Sequence, residues 1–375
     1  MERQITVFHG PVNIFKNRIE SNDIIYLRNI VSEIDQKSFE RWLERQAEKT
    51  IPSDLVCYTE SYASITESFL GELPVMLKIL TERGALGTCF FQNPPVFLQE
   101  GLIQEFGSDS VKIEQHEYDH ISKKDMVTLY KNYSIEVLGQ DEAIKDILST
   151  IYPLSSGGYA SPIVVMFYGP AGVGKTETAN LISKNLFDGE LFRQQFSMFQ
   201  TGEAISYLFG DTLNKTSFAR DLMNRESNVI LLDEFDKCPP YFYSAFYQMF
   251  DEGVYIDKNY KVDLKNTVII CTTNYESEHQ ILERLGGAIF SRFDKFIRFT
   301  NLSFEDKQKL IKDTYSKYSI LWSDKEKEVL QDEMVLEKIL VHTDRFTNAR
   351  NINQGVKSYI SRVLFENLIK ESDEI

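Results

Sequence analysis

Residues 169 to 178 read GPAGVGKTET, a glycine-rich stretch that ends on a lysine and a threonine. Gly169, Gly174, Lys175 and Thr176 satisfy G-x-x-x-x-G-K-[ST], with Pro170, Ala171, Gly172 and Val173 filling the loop. The apolar run IVVMFY ahead of it predicts a buried strand, and TETANLISKNLF behind it predicts a helix. Glycines at such a turn let backbone N–H groups surround phosphate oxygens, and the helix N-terminus adds a favourable dipole. Residues 169–177, through Glu177, are therefore the expected nucleotide-binding stretch. Lys175 is expected to meet the β and γ phosphates of ATP, and the Thr176 hydroxyl to ligate Mg²⁺.

Two further strands complete that chemistry. NVILLDEFDK carries four apolar residues, Val229 to Leu232, as a strand buried on both faces would. It delivers Asp233 and Glu234 at its C-terminal end, where open α/β sheets bind ligands. Asp233 is expected to hold the Mg²⁺ shell and Glu234 to orient and deprotonate the attacking water. A third strand, TVIICTTN, ends in Asn274, whose amide would face the same water. Beyond it, AIFSRFDKFIRF places Arg292 as an arginine finger offered to a neighbouring subunit's γ-phosphate.

VLGQDEAI, GPAGVGKTET, ILLDEFDK, DEGVYIDKNYKVDLKNTVIICTTN, SRFD and NAR occur in this order. That order resembles the Clp-type AAA+ ATPases, above all the second ATPase module of the ClpB-like disaggregases, over about residues 133 to 370. The resemblance implies a P-loop AAA+ parallel sheet with a C-terminal helical lid, and a ring of copies, usually six. It implies that Leu138 and Gly139 lie against the adenine, and that Arg350 of the lid reads the γ-phosphate within its own chain. Asn348 stands where the family usually has glycine. Family unfoldases grip substrate with a Gly-Tyr-Val-Gly type pore loop. Here that interval reads LFGDTLNKTSFARDLMNRESN, without an aromatic flanked by glycines. Phe218, Tyr207 and Phe209 are read as packed residues. No Ile-Gly-Phe tripeptide of the peptidase-docking kind is present.

The first ~125 residues read as a small α/β domain. DLVCYTESYA, LGTCFFQN and VKIEQ are expected strands, alternating with helices at ITESFLGELPVMLKILTERG and PPVFLQEGLIQEFG. Upstream, Phe39, Trp42, Leu43 and Ala47 share one helical face, expected to pack into a core. HEYDH, residues 116 to 120, matches the zinc-protease pattern H-E-x-x-H. Its polar surroundings, with a strand before it and a helix starting at Ser122, favour a connector over a catalytic zinc helix. No internal repeat and no low-complexity segment is evident. The chain divides into residues 1–125 as a partner-binding or regulatory domain, 126–300 as the nucleotide domain and 301–375 as the lid.

With 41 basic against 56 acidic residues the net charge is −15, which argues against a general nucleic-acid surface. Cys57, Cys89, Cys238 and Cys271 lie far apart, without zinc or disulfide spacing. The start has no apolar leader and no run reaches the length of a membrane span, so a cytoplasmic protein is expected. The reading is an ATP-hydrolysing, Mg²⁺-dependent remodeller of a protein or protein complex, working as a homo-oligomeric ring, with its partner chosen by residues 1 to ~125. Its rivals are an ATP-dependent oligomeric switch or scaffold without threading, and a nucleic-acid helicase or loader.

Overall fold

The structure is a computed structural model describing residues 5–373 apart from 22, 36–38, 50, 158–160, 199–202 and 332. The side chain of Ala47 lies outside the described residues.

The first sheet contains β1 (Ile5–His9), β2 (Ile24–Tyr26), β3 (Ser53–Cys57), β4 (Leu86–Gln92) and β5 (Val111–Gln115). All are parallel, in the order β2-β3-β4-β1-β5. Sequence patterning found β3, β4 and β5 but not β1 or β2. β2, at three residues, is too short to show a period, and both strands are held in the sheet by their parallel partners. The helices Glu67–Glu82 and Val96–Phe106 cover this sheet, the first capped by Thr66, whose side chain accepts from Phe69 N–H. Trp42 is buried and stacks on Phe39 at 5.5 Å between centroids, as its helical stripe predicts.

The second sheet contains β6 (Ile163–Tyr168), β7 (Phe192–Gln195), β8 (Val229–Asp233), β11 (Val268–Thr272) and β12 (Lys295–Arg298). A separate antiparallel hairpin pairs β9 (Val254–Ile256) with β10 (Lys261–Asp263). The parallel order is β12-β6-β11-β8-β7. The three central strands are buried throughout because both of their faces are covered, whereas the edge strands β7 and β12 keep polar, partly exposed positions. Within β6, Val164 and Met166 join one core, and Val165 and Phe167 join the other. Counted along its own strands, each sheet reads 2-3-4-1-5. The expectation of no internal repeat is thus corrected: the fold is repeated, although little of the sequence is.

Residues 116–122 form a non-helical connector, followed by the helix Lys123–Glu136, whose N-cap Ser122 accepts from Lys124 and Asp125 N–H. His116 and His120 therefore do not share a helical face. At the C-terminal end, the helices Phe304–Ser319, Asp324–Leu330, Glu333–Leu340 and Ala349–Asp373 pack around Ile311, Tyr315, Ile352 and Ile360, and Leu138 joins that core. Among the described residues no helix is long and apolar enough to cross a membrane. The four cysteines are buried and unpaired.

Candidate functional site

The glycine-rich loop turns from β6 into the helix Lys175–Leu186. Gly174 has φ +107°, and a Cβ there would lie 2.7 Å from Val137 Cγ1, so only glycine fits. Lys175 is buried, and its Nζ donates to Gly169 O at 2.6 Å, Pro170 O at 2.8 Å and Asn274 Oδ1 at 3.1 Å. All three acceptors are neutral. Burial pulls its pKa down to about 8, against the weaker opposing pull of Asp233 and Asp236. A buried ammonium whose hydrogen bonds go to neutral acceptors is a site that a polyanion would complete.

Two carboxylates stand at the end of β8. Asp233 Oδ1 accepts from Thr272 Oγ1 at 2.5 Å, while Oδ2 accepts from Arg193 Nε at 3.0 Å and Nη2 at 2.5 Å. Glu234 has a left-handed backbone, φ +53°, and its N–H donates to Thr272 Oγ1 at 2.9 Å. For a non-glycine residue that conformation costs of order 1–3 kcal/mol and is concentrated at functional sites. Its carboxylate accepts from Gln195 Nε2 at 3.4 Å. Arg193 and Gln195 escaped the sequence reading. They sit on the edge strand β7, distant in sequence, and only the β7–β8 register brings them to the carboxylates.

A cavity of about 890 Å³ joins these groups to the lid. Lys175, Thr176, Asp233, Glu234 and Asn274 line one end, and Leu138 and Arg350 line the region toward the lid. The lid touches the loop directly, with Ala349 N–H donating to Gly172 O at 3.1 Å. Asn348 accepts from Asn351 N–H at 2.8 Å, at the start of the helix that carries Arg350. Gly139 does not line the cavity. It makes the turn, with φ +70°, that sets Leu138 in the lid core, while Gln140 clamps the chain to Thr300 through both of its amide atoms. Arg292 also lies outside the cavity. Its Nε donates to Asp251 at 2.9 Å and its guanidinium lies 4.1 Å over the Tyr247 ring.

The family model described as an AAA domain of the Cdc48 subfamily matches residues 161–334, the span that contains the loop, both carboxylates and Asn274. The chain carries a Clp-type AAA+ ATPase domain. The chaperone ClpB of Malacoplasma penetrans is 26% identical over 341 residues, covering 84% of this chain and 47% of that protein. A ClpB of Nostoc is 33% identical over 186 residues, 46% of this chain and 21% of that protein. The chain thus spans less than half the length of these relatives. A closed-state cryo-EM reconstruction of Hsp104 with ATPγS and FITC-casein superposes with a TM-score of 0.54 at 13% identity. It covers 98% of this chain and 89% of that one, a likeness of fold.

The loop 210–217 ahead of β8 contains no aromatic residue. Phe218 is fully buried, and the Tyr207 hydroxyl donates to Asp221 at 2.8 Å, so both are packed residues. Phe209 is not fully packed: it is 40% exposed, and Phe242, beside it, in turn touches Tyr241, which is 67% exposed.

Proposed function

We propose that this chain hydrolyses ATP to remodel a protein or protein complex within a ring of copies, six by resemblance. The observation that carries the proposal is the buried, dipole-held Lys175 beside Asp233, Glu234 and Asn274 at one end of a cavity that the lid borders. Residues 126–300 serve as the nucleotide domain, 301–375 as the lid and 1–125 as the regulatory or partner domain. Thr176 and Asp233 supply the hydroxyl and carboxylate oxygens that suit a hard cation such as Mg²⁺. When bound, Mg²⁺ offsets the charge of the phosphates. Lys175 neutralises phosphate charge already in the ground state. Glu234 holds and deprotonates the water, with Asn274 orienting it from just beyond the neighbouring strand β11. Arg193 keeps the Asp233 carboxylate in one orientation. Arg350 reads the γ-phosphate from the lid, while Leu138, positioned by the Gly139 turn, borders the adenine.

Arg292, held outside its own cavity by Asp251 and Tyr247, serves the neighbouring copy's site. A guanidinium stays charged at any working pH, so it is a permanent cation for the developing charge. The purified chain is expected to turn over ATP, to do so faster with an unfolded model protein, and to retain partners as Glu234→Gln in ATP. Absence of hydrolysis by a nucleotide-bound, ring-sized assembly would refute this.

A second reading is an ATP-dependent oligomeric switch. The polar segment Asp211, Thr212 and Asn214, with Phe218 buried behind it, favours that reading, because nothing there wedges an extended chain. An ATP-dependent change of assembly size, with turnover indifferent to unfolded protein, would select it.

A further inference from the structure

The likeness of the two sheets extends to single hydrogen bonds. After the fifth strand of the second sheet, Phe299 N–H donates to Tyr168 O at 2.8 Å; in the first sheet, His116 N–H donates to His9 O at 2.7 Å. Thr273 N–H donates to Phe167 O at 3.0 Å, and Asn93 N–H to Phe8 O at 2.8 Å. Glu234 N–H donates to Thr272 Oγ1 at 2.9 Å, and Thr59 N–H to Gln92 Oε1 at 3.2 Å. These pairings set Gly10 on Gly169, Thr59 on Glu234 and Gln92 on Thr272. Without a gap, FHGPVNIFKN (8–17) then lies on FYGPAGVGKT (167–176), sharing the phenylalanine, glycine, proline and lysine. Both glycines are packed under the residue after the fifth strand. A Cβ would meet His116 Cβ at 2.6 Å from Gly10 and Phe299 O at 2.1 Å from Gly169.

The first copy lacks what the second uses. Phe15 stands at the Gly174 position, fully buried, 5.8 Å from the Phe8 ring and 5.6 Å edge-on to Tyr58. Its loop is wound into the short helix Val12–Lys16, so Phe15 N–H is spent on Pro11 O at 3.1 Å. Tyr58 and Thr59 take the places of Asp233 and Glu234. Lys16, in the place of Lys175, is exposed, with Nζ 5.9 Å over the Tyr58 ring.

The carboxyl edge of the first sheet is instead filled by the second module's own chain. Asn224 Oδ1 accepts from Gln92 Nε2 at 3.0 Å and Asn93 Nδ2 at 3.4 Å. The same two amides hold Gly10 O at 2.9 and 3.0 Å, and Asn93 also reaches Thr59 Oγ1 at 3.2 Å. Asn13 Nδ2 donates to Glu226 at 3.4 Å. The buried Arg225 lies 4.5 Å over the Tyr118 ring, and Tyr118 Oη donates to Arg225 O at 3.0 Å. Arg225 and Asn228 lead straight into β8, joined by an Nη2 to Oδ1 bond of 3.2 Å.

We propose that residues 5–116 are a nucleotide-silent copy of the ATPase fold, and that the positions matching the nucleotide site form a socket for the 224–226 turn. The socket fixes the root of β8 and so the placement of Asp233 and Glu234. The proposal rests on the nucleotide site proposed above, but its tests do not all need hydrolysis. Titration of the full-length chain with a non-hydrolysable ATP analogue is expected to give one site per chain, kept in Lys16→Ala and lost in Lys175→Ala. Two sites, or binding that survives Lys175→Ala, would overturn the silent copy. Asn224→Ala is expected to speed amide exchange along residues 229–232 and to lower kcat roughly threefold or more, with affinity within about twofold. Asn224→Asp, which keeps the acceptor oxygen, should lie nearer wild type in both. Wild-type exchange and kcat in Asn224→Ala would overturn the socket. If the wild-type chain hydrolyses nothing, the functional proposal fails, while site number and exchange still decide this one.

Discussion

The two five-stranded sheets share one strand order but differ in what stands at their carboxyl edges. In the second, a buried lysine, two carboxylates and an asparagine surround a cavity open to the lid. In the first, Phe15, Phe8 and Tyr58 close the equivalent space, and side-chain amides grip Asn224. Topology is maintained by the apolar strands, whereas chemistry depends on a handful of edge residues. Where the second sheet has a glycine in its loop, the first has the buried ring of Phe15.

The sharpest way to break this contrast is at the two equivalent lysines. Lys175→Ala is expected to abolish nucleotide binding, measured by titration. Glu234→Gln should bind normally and lose about 10²- to 10⁴-fold in kcat, the usual share of a general base. Wild-type turnover in that variant would remove Glu234 from the base role. Arg292→Ala should be inactive alone yet regain activity when mixed with Lys175→Ala, because mixed rings contain intact sites; no recovery would make Arg292 a surface cation.

On the silent side, Phe15→Ala removes a fully buried ring and should cost about 3–5 kcal/mol in the denaturation of the first module. Nucleotide stoichiometry should not change. The pH response sharpens the other side. Lys175, with its pKa lowered to about 8 by burial, is charged below pH 8 and progressively neutral above it. A bound polyphosphate would keep it protonated, so binding takes up a proton and affinity should fall by up to about tenfold per unit above pH 8. A flat affinity between pH 7 and pH 10 would contradict this. The smallest effect is expected of Lys16→Ala, an exposed cation, with nucleotide affinity within roughly twofold of wild type.

Much of the second module was legible in the sequence because its signals are local. Four apolar residues ahead of Asp233, or glycines spaced ahead of Lys175, state both strand and role within ten residues. Arg193 carried no such signal, since a cation in FRQQ gains meaning only from the strand beside it. HEYDH shows the converse: its spacing matches a metal helix, but β5 ends at Gln115 and the backbone after it is not helical.

The sequence by itself determined the phosphate loop, the carboxylate pair, the buried strands that present them and the acidic balance, because each is a matter of composition or spacing along the chain. Only the tertiary structure decided that residues 5–116 repeat the same sheet, that Phe15 occupies a glycine's place, and that Gln92 and Asn93 meet Asn224. Parallel strands pair across crossovers of many residues, so their register, and everything equivalent positions imply, is written in packing and not in neighbouring letters.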